Sequence, residues 1–129
     1  MRIRTFALST ALLLAATTAA LADDPMSNTY GNTVTTKSQK TGAAGSLMFN
    51  ADNSYMAKAM DAKGQPVSYG GMWSLKDGGA TICLAPKLPA GTPGSAPSCS
   101  PLQKHAVGDN WTVTNDQGET FAVSLTAGR

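Results

Sequence analysis

From residue 46 to the end of the chain, apolar and polar side chains alternate in short segments that are separated by turn residues. A period of two is the pattern of β-strands with one buried face. The longest segment places Val67, Tyr69, Gly71, Trp73 and Leu75 on one side. After the apolar N-terminal stretch, no segment repeats apolar residues at helical spacing. The pattern therefore predicts an all-β domain.

The segments are joined by tight turns, which predicts that consecutive strands pair with each other. Asn, Asp and Gly cluster at residues 50–53, 61–64, 76–79 and 115–118. Seven or eight short strands joined in this way predict an antiparallel up-and-down meander that forms a small barrel or a two-layer sandwich. A five-stranded Greek-key barrel is the main alternative, and a short strand is also predicted over residues 103–107.

The predicted inner face carries most of the large aromatic side chains. Such a face most often forms a packed core. If the sheet closes into a barrel, however, one end of the aromatic set would line a cup for a small apolar ligand. Tyr69, Trp73 and Trp111 are the candidate ligand-binding residues on this interpretation.

The first 22 residues have the organisation of a secretory signal peptide. Arg2 and Arg4 precede an apolar stretch over residues 6–16, and Ala-Leu-Ala at residues 20–22 is a small-residue cleavage site. Ser and Thr interrupt the apolar stretch, which is shorter than the roughly 20 residues of a transmembrane helix. We expect cleavage after Ala22, a periplasmic or secreted location, and no stable membrane anchor afterwards.

Two regions follow the predicted cleavage site. Residues 23–44 are polar, with few large apolar side chains, and we predict a mobile tail up to residue 29 and an edge strand over residues 32–38. Residues 45–129 form the predicted β-domain.

Cys83 and Cys99 are the only cysteines in the chain. An even number of cysteines in an exported protein favours pairing, so we predict a Cys83–Cys99 disulfide. The segment they enclose, residues 83–99, is rich in Pro and Gly and is predicted to be a loop. Cys83 alternates with apolar neighbours, which places the disulfide outside the main core. Two thiols and the single His105 are too few ligands for a zinc site.

No arrangement of residues typical of catalysis is found. Most acidic residues occupy predicted turns, where an Asp side chain bonds to its own backbone. His105 is the only histidine, and the sequence has no nucleophile elbow of the Gly-x-Ser-x-Gly type whose serine it could activate as a general base. We therefore predict a protein that is not an enzyme and that needs no cofactor.

Four methionines lie on the predicted face opposite the aromatic residues: Met48, Met56, Met60 and Met72. Thioether sulfur is a soft ligand suited to Cu(I), although Met more often fills gaps in packing. The sequence contains no Met-x-Met or His-x-x-Met motif. Copper binding by these methionines is a further hypothesis.

The net charge of +2 comes from the predicted signal peptide. Removal of residues 1–22 takes away Arg2 and Arg4 and no acidic residue, which leaves as many basic as acidic residues. The lysines are scattered singly, and no Gly-rich phosphate loop is present. Nucleic acid is therefore not an expected partner.

Three segments together resemble small exported bacterial lipocalin-like or meander-barrel proteins. They are Phe-Asn-Ala-Asp-Asn-Ser-Tyr at residues 49–55, Gly-Met-Trp at residues 71–73 and Ile-Cys-Leu at residues 82–84. Many of those proteins carry a Phe-x-x-Asp-Gly-x-Tyr hairpin followed by a Gly-x-Trp strand, and here Asn53 takes the place of the Gly. The resemblance implies a barrel fold and export.

A second resemblance is to periplasmic metalloprotease inhibitors of the small β-barrel type, which share the size, the signal peptide, one disulfide and a Gly-x-Trp. That resemblance implies that residues 23–29 insert into a protease. We thus expect a non-enzymatic exported domain that binds a small ligand or an envelope protein, with protease inhibition as the alternative.

Overall fold

The computed structural model describes residues 24–61, 63–92 and 94–129, so the predicted signal peptide over residues 1–22 lies outside the described residues. The regular secondary structure of the described residues is β-strand except for one three-residue 3-10 helix at Asp77–Gly79. The strands are β1 (Thr33–Ser38), β2 (Ala44–Phe49), β3 (Ser54–Met60), β4 (Pro66–Lys76), β5 (Thr81–Pro86), β6 (Ser98–Pro101), β7 (Asn110–Thr114) and β8 (Thr120–Thr126). In this part of the chain, no helix is long and apolar enough to cross a membrane.

All eight strands belong to one antiparallel sheet with the order β6-β5-β4-β3-β2-β1-β8-β7. Every pair of neighbours except β1 and β8 is consecutive in the chain, so the sheet is an up-and-down meander. The sheet curls, and β8 pairs with β1. The two edge strands, β6 and β7, then lie next to each other at the gap of a nearly closed barrel. The predicted all-β meander is confirmed in its barrel form, and the strand order excludes the Greek-key alternative.

The edge strand predicted over residues 32–38 is wrong in one respect. β1 has partners on both sides, since Thr36 lies opposite Gly45 of β2 and Val123 of β8. The polar composition misled the prediction because one face of an antiparallel barrel strand is solvated wherever the strand lies in the sheet. Lys37 lies on that exposed face, whereas Val34 on the opposite face is buried.

The strand predicted over residues 103–107 is also wrong, because β6 forms earlier, at Ser98–Pro101. Cys99 lies directly opposite Cys83 in the ladder between β5 and β6. This pairing fixes β6, and local alternation of apolar residues plays no part in it. Residues 102–109 are the connection to β7.

The predicted disulfide is present between Cys83 and Cys99. Both cysteines lie within strands, so the Pro-rich loop is shorter than predicted and covers residues 87–97. Cys83 lies opposite Ser74 of β4 and is not part of the apolar core cluster. The disulfide therefore lies outside the main core, as the alternation predicted.

Aromatic rings fill one part of the barrel interior. The ring of Phe49 lies 5.8 Å from that of Tyr55 and 6.3 Å from that of Trp73, measured between centroids. Gly71 lies directly opposite Tyr55 on β4, and the Tyr55 ring occupies the space that a side chain at position 71 would need. The buried core cluster consists of Met26, Val34, Phe49, Tyr55, Ala57, Trp73, Val123 and Leu125.

The N-terminal segment is folded against the barrel, and the predicted mobile tail is wrong for the residues that the structure describes. Residues 25–31 form consecutive turns, and we call residues 24–32 the N-terminal plug. Met26 is only 1% exposed and belongs to the core cluster, and the ring of Tyr30 lies 6.2 Å from that of Trp73. Met26 and Tyr30 anchor this otherwise polar segment, and their packing is a tertiary effect that local composition does not reveal.

Candidate ligand cavity

The barrel has a seam, which is the gap between β6 and β7, where no ladder of backbone hydrogen bonds joins the two strands. Hydrogen bonds bridge one end of the seam. The Cys99 amide donates to Oδ1 of Asp116 at 3.1 Å, and the Asp116 amide donates to the Cys99 carbonyl at 2.9 Å. The Gln117 side chain adds a bond from Nε2 to the Pro97 carbonyl at 3.3 Å. These contacts therefore hold β6 and the end of the Pro-rich loop against the turn between β7 and β8, at one end of the seam.

An apolar cavity of about 120 Å³ lies inside the barrel behind the seam. Its walls are residues of β1, β2, β5, β6, β7 and β8, and the N-terminal plug and the connection over residues 102–109 contribute the remainder. Apolar side chains dominate the lining, and they include Met26, Val34, Leu47, Phe49, Ile82, Leu84, Leu102, Trp111, Val113, Val123 and Leu125.

Trp111 and His105 form one side of this cavity. Their rings stack with centroids 3.6 Å apart and planes 7° from parallel. Nδ1 of His105 lies 3.6 Å from Oδ2 of Asp109, and the same oxygen accepts a hydrogen bond from the Ala106 amide at 2.9 Å. The His105 carbonyl accepts a bond from Nδ2 of Asn28 at 3.0 Å. The connection, β7 and the N-terminal plug therefore meet at this side of the cavity.

A second cavity of about 220 Å³ occupies the neighbouring part of the barrel interior. Tyr69 and Phe121 line it, and Ser98 and Asn115 contribute polar side chains close to the seam. Burial raises the pKa of Tyr69, which keeps its phenol neutral well above physiological pH. The two cavities share lining residues, namely Thr36, Leu47, Leu84, Ser100 and Val113.

The three residues proposed from sequence do not meet at one site. Trp111 lines the first cavity and Tyr69 lines the second. Trp73 is 6% exposed, belongs to the packed core, and donates from Nε1 to the Asn50 carbonyl at 3.0 Å. Trp73 is not among the residues that line either cavity.

Sequence reasoning missed Met26 and His105 as parts of a binding site. Met26 was placed in a tail and His105 in a strand, whereas both line the first cavity. The protease-inhibition alternative requires a free N-terminal segment over residues 23–29. Because Met26 is buried, the described part of that segment, from residue 24 onward, is folded against the barrel.

Comparison of the chain with protein-family models, with curated proteins and with solved structures finds no match in any of the three. The cavity and its surroundings are therefore the basis for a functional proposal.

Proposed function

We propose that this protein binds a small, uncharged, largely apolar molecule inside its barrel and acts as a binding protein with no catalytic role. The observation that carries the proposal is the apolar cavity of about 120 Å³. The cavity is partly open to solvent, and its lining is mostly apolar. Apolar cavities of about 150 Å³ take up benzene or xenon. A cavity of this size matches one small ring or a short branched chain.

The lining supports an uncharged ligand. No Asp, Glu, Lys or Arg is among the described residues that surround the first cavity. A charged group placed there would lose its hydration without gaining a partner. Ser98, Ser100 and Asn115 line the neighbouring cavity and suit a hydroxyl or carbonyl group at the other end of the ligand, and Lys58 is the one charged residue among the described residues that line it.

The ligand would be met outside the cytoplasm. The predicted signal peptide over residues 1–22 supports this location, and the Cys83–Cys99 disulfide is consistent with it, since disulfides persist in oxidising compartments. The resemblance of residues 49–84 to small exported meander-barrel proteins supports the same location, because it implies export.

The test is a titration of the folded protein with benzene and with p-cresol, followed by native mass spectrometry and Trp fluorescence. Val113 lines both cavities, whereas Val107 is an exposed residue of the same type. Val113→Phe fills the space and should weaken binding by at least about tenfold, whereas Val107→Phe should leave it unchanged.

Two results would count against the proposal. One is a wild-type protein that binds neither probe and carries no small molecule when isolated from its own cells. The other is Val113→Phe protein, folded by thermal unfolding, that binds both probes as well as the wild type does.

A further inference from the structure

The second cavity lies at the end of the barrel away from the N-terminal plug. The plug precedes β1, so it lies where β1 begins, and it packs there against Trp73 near the end of β4. The second cavity is lined by Thr36 near the end of β1, by Gly45 near the start of β2 and by Ala59 near the end of β3. Neighbouring antiparallel strands run in opposite directions, so these positions share the end opposite the plug.

This end of the barrel is open to solvent. Val67 of β4 has the same alternation as the inward Tyr69 and Trp73, yet it is 39% exposed. Ala59 lies directly opposite both Val67 and Gly45. Two of these three inward positions carry little or no side chain, so the space at this end is not filled.

Hydroxyl groups surround the open end. The residues that carry them and line the second cavity from the inner face are Thr36, Tyr69, Ser98 and Ser100, which we call the hydroxyl collar. Thr36 lies opposite the buried Val123. Ser98 lies opposite the inward Leu84, and Ser100 is two residues further along on the same face. All four side chains are partly buried, and in the part of the chain that the structure describes none of their hydroxyl groups forms a hydrogen bond with another residue.

The collar is uncharged and can both donate and accept hydrogen bonds. Each hydroxyl group has one proton to donate and lone pairs to accept with. The Tyr69 phenol keeps its proton, because burial raises its pKa. Lys58 also borders this cavity, but it is an exposed residue opposite Ser46 and Ser68, on the outward alternation of β3. The inner face at this end therefore suits a neutral oxygen-bearing group, whereas a charged group would lose hydration without gaining a charged partner.

Resting on the binding function proposed above, we propose that the hydroxyl collar is a head-group site and that the ligand is a neutral amphiphile with a hydroxyl or carbonyl oxygen at one end. The oxygen bonds to the collar at the open end of the barrel. The apolar remainder lies in the first cavity, which points towards Met26 of the plug. Leu47, Leu84 and Val113 line both cavities, so one elongated molecule contacts the two together.

The test compares p-cresol with p-xylene, which has a methyl group in place of the hydroxyl group, by calorimetric titration of the disulfide-intact protein. Tyr69→Phe and the double variant Ser98→Ala, Ser100→Ala remove collar hydroxyl groups and little volume. Each should weaken p-cresol binding by at least about fivefold, as loss of a hydrogen bond does, and leave p-xylene binding within about twofold. Ser68→Ala removes an exposed hydroxyl group beside Tyr69 on the outer face and should change neither. Thermal unfolding checks that each variant is folded.

The orientation is read from NMR contacts of bound p-cresol. Its methyl group should contact the methyl group of Met26, and its ring protons next to the hydroxyl group should contact Val113. The reverse set of contacts would overturn the orientation.

The two proposals fail in different ways. The head-group site is overturned if the collar variants weaken p-cresol and p-xylene binding by the same factor, if they weaken neither, or if Ser68→Ala has an equal effect. In each of these cases p-xylene still binds, so the apolar cavity keeps its proposed function. A wild-type protein that binds none of benzene, p-cresol and p-xylene overturns the proposed function and the head-group site with it.

Discussion

At the scale of single residues, the two adjacent glycines of β4 have different roles. A Cβ on Gly71 would lie 2.4 Å from Cζ of Tyr55, far inside contact distance, and the ring cannot move because it is buried in the core. A Cβ on Gly70 would meet Sδ of Met56 at 3.6 Å, which is ordinary contact. Gly71 therefore makes room for an aromatic ring, whereas Gly70 leaves an outer surface open.

Gly71→Ala should lower the free energy of unfolding by about 3 kcal/mol, because the added methyl group overpacks a filled core. Gly70→Ala is the matched control and should change stability by less than about 1 kcal/mol. Urea unfolding followed by Trp fluorescence measures both. Equal effects of the two substitutions would show that the Tyr55 ring does not pack over Gly71.

Tyr55 gives the protein a pH dependence in the alkaline range. Burial, with a smaller contribution from the nearby Tyr69, raises the pKa of Tyr55 to about 12, from an ordinary value near 10. The unfolded chain loses this proton at a lower pH than the folded chain does. The contribution to stability is therefore complete below pH of about 10 and is lost as the pH rises through about 12.

The expected result is a free energy of unfolding that falls between pH of about 10 and about 12. Tyr55→Phe should fall less steeply over the same range, and a smaller slope should remain because burial also raises the pKa of Tyr69. Urea titrations at several pH values check this. Identical slopes in the two proteins would mean that Tyr55 titrates normally in the folded state.

At the scale of elements, the strands that alternate strongly could be predicted, and those set by distant contacts could not. β4 was recognisable because its inward positions carry Tyr69, Trp73 and other large apolar residues. β6 has the sequence Ser-Cys-Ser-Pro and forms because Cys99 pairs with Cys83 across the ladder. Short polar strands of this kind take their structure from a neighbour, so their position is not encoded in a local pattern.

The same distinction explains the candidate site. Trp111 is predicted from the sequence to lie on the inner face, and it lines the first cavity. The cavity itself depends on how the connection over residues 102–109 and Met26 close over the strands. Those are contacts between segments far apart in the chain. The alternation of apolar and polar residues does not show whether such segments pack tightly over the strands or leave a cavity beneath them.

The bridge across the seam can be tested through Asp116. Its Oδ1 accepts the amide of Cys99, so Asp116→Ala leaves that amide without its acceptor. We expect a loss of about 1 kcal/mol and faster hydrogen exchange at the Cys99 amide. Asp116→Asn keeps an oxygen in the same position and should retain most of the protection. Unchanged exchange at Cys99 in Asp116→Ala would mean that the seam does not depend on this contact.

At the scale of the whole molecule, the barrel has a tightly packed part and a hollow part, and the N-terminal plug touches both. Tyr30 of the plug packs against Trp73 in the core, whereas Met26 lines the apolar cavity. The plug is held by Asn28 Nδ2, which donates to the His105 carbonyl. Stability and cavity size are therefore expected to change together when the plug is altered.

Met26→Ala tests this coupling. Removal of a buried methionine side chain should cost about 3 kcal/mol, since the site loses apolar contacts and the space is only partly refilled. Because Met26 lines the cavity, the same change should enlarge it and admit indole, which is larger than benzene. Met60→Ala removes the same atoms from an exposed position and should change neither stability nor binding by more than about 0.5 kcal/mol. If Met26→Ala protein were as stable as the Met60→Ala control and bound no indole, the Met26 side chain would not pack against the cavity, and the plug would not limit the size of the cavity.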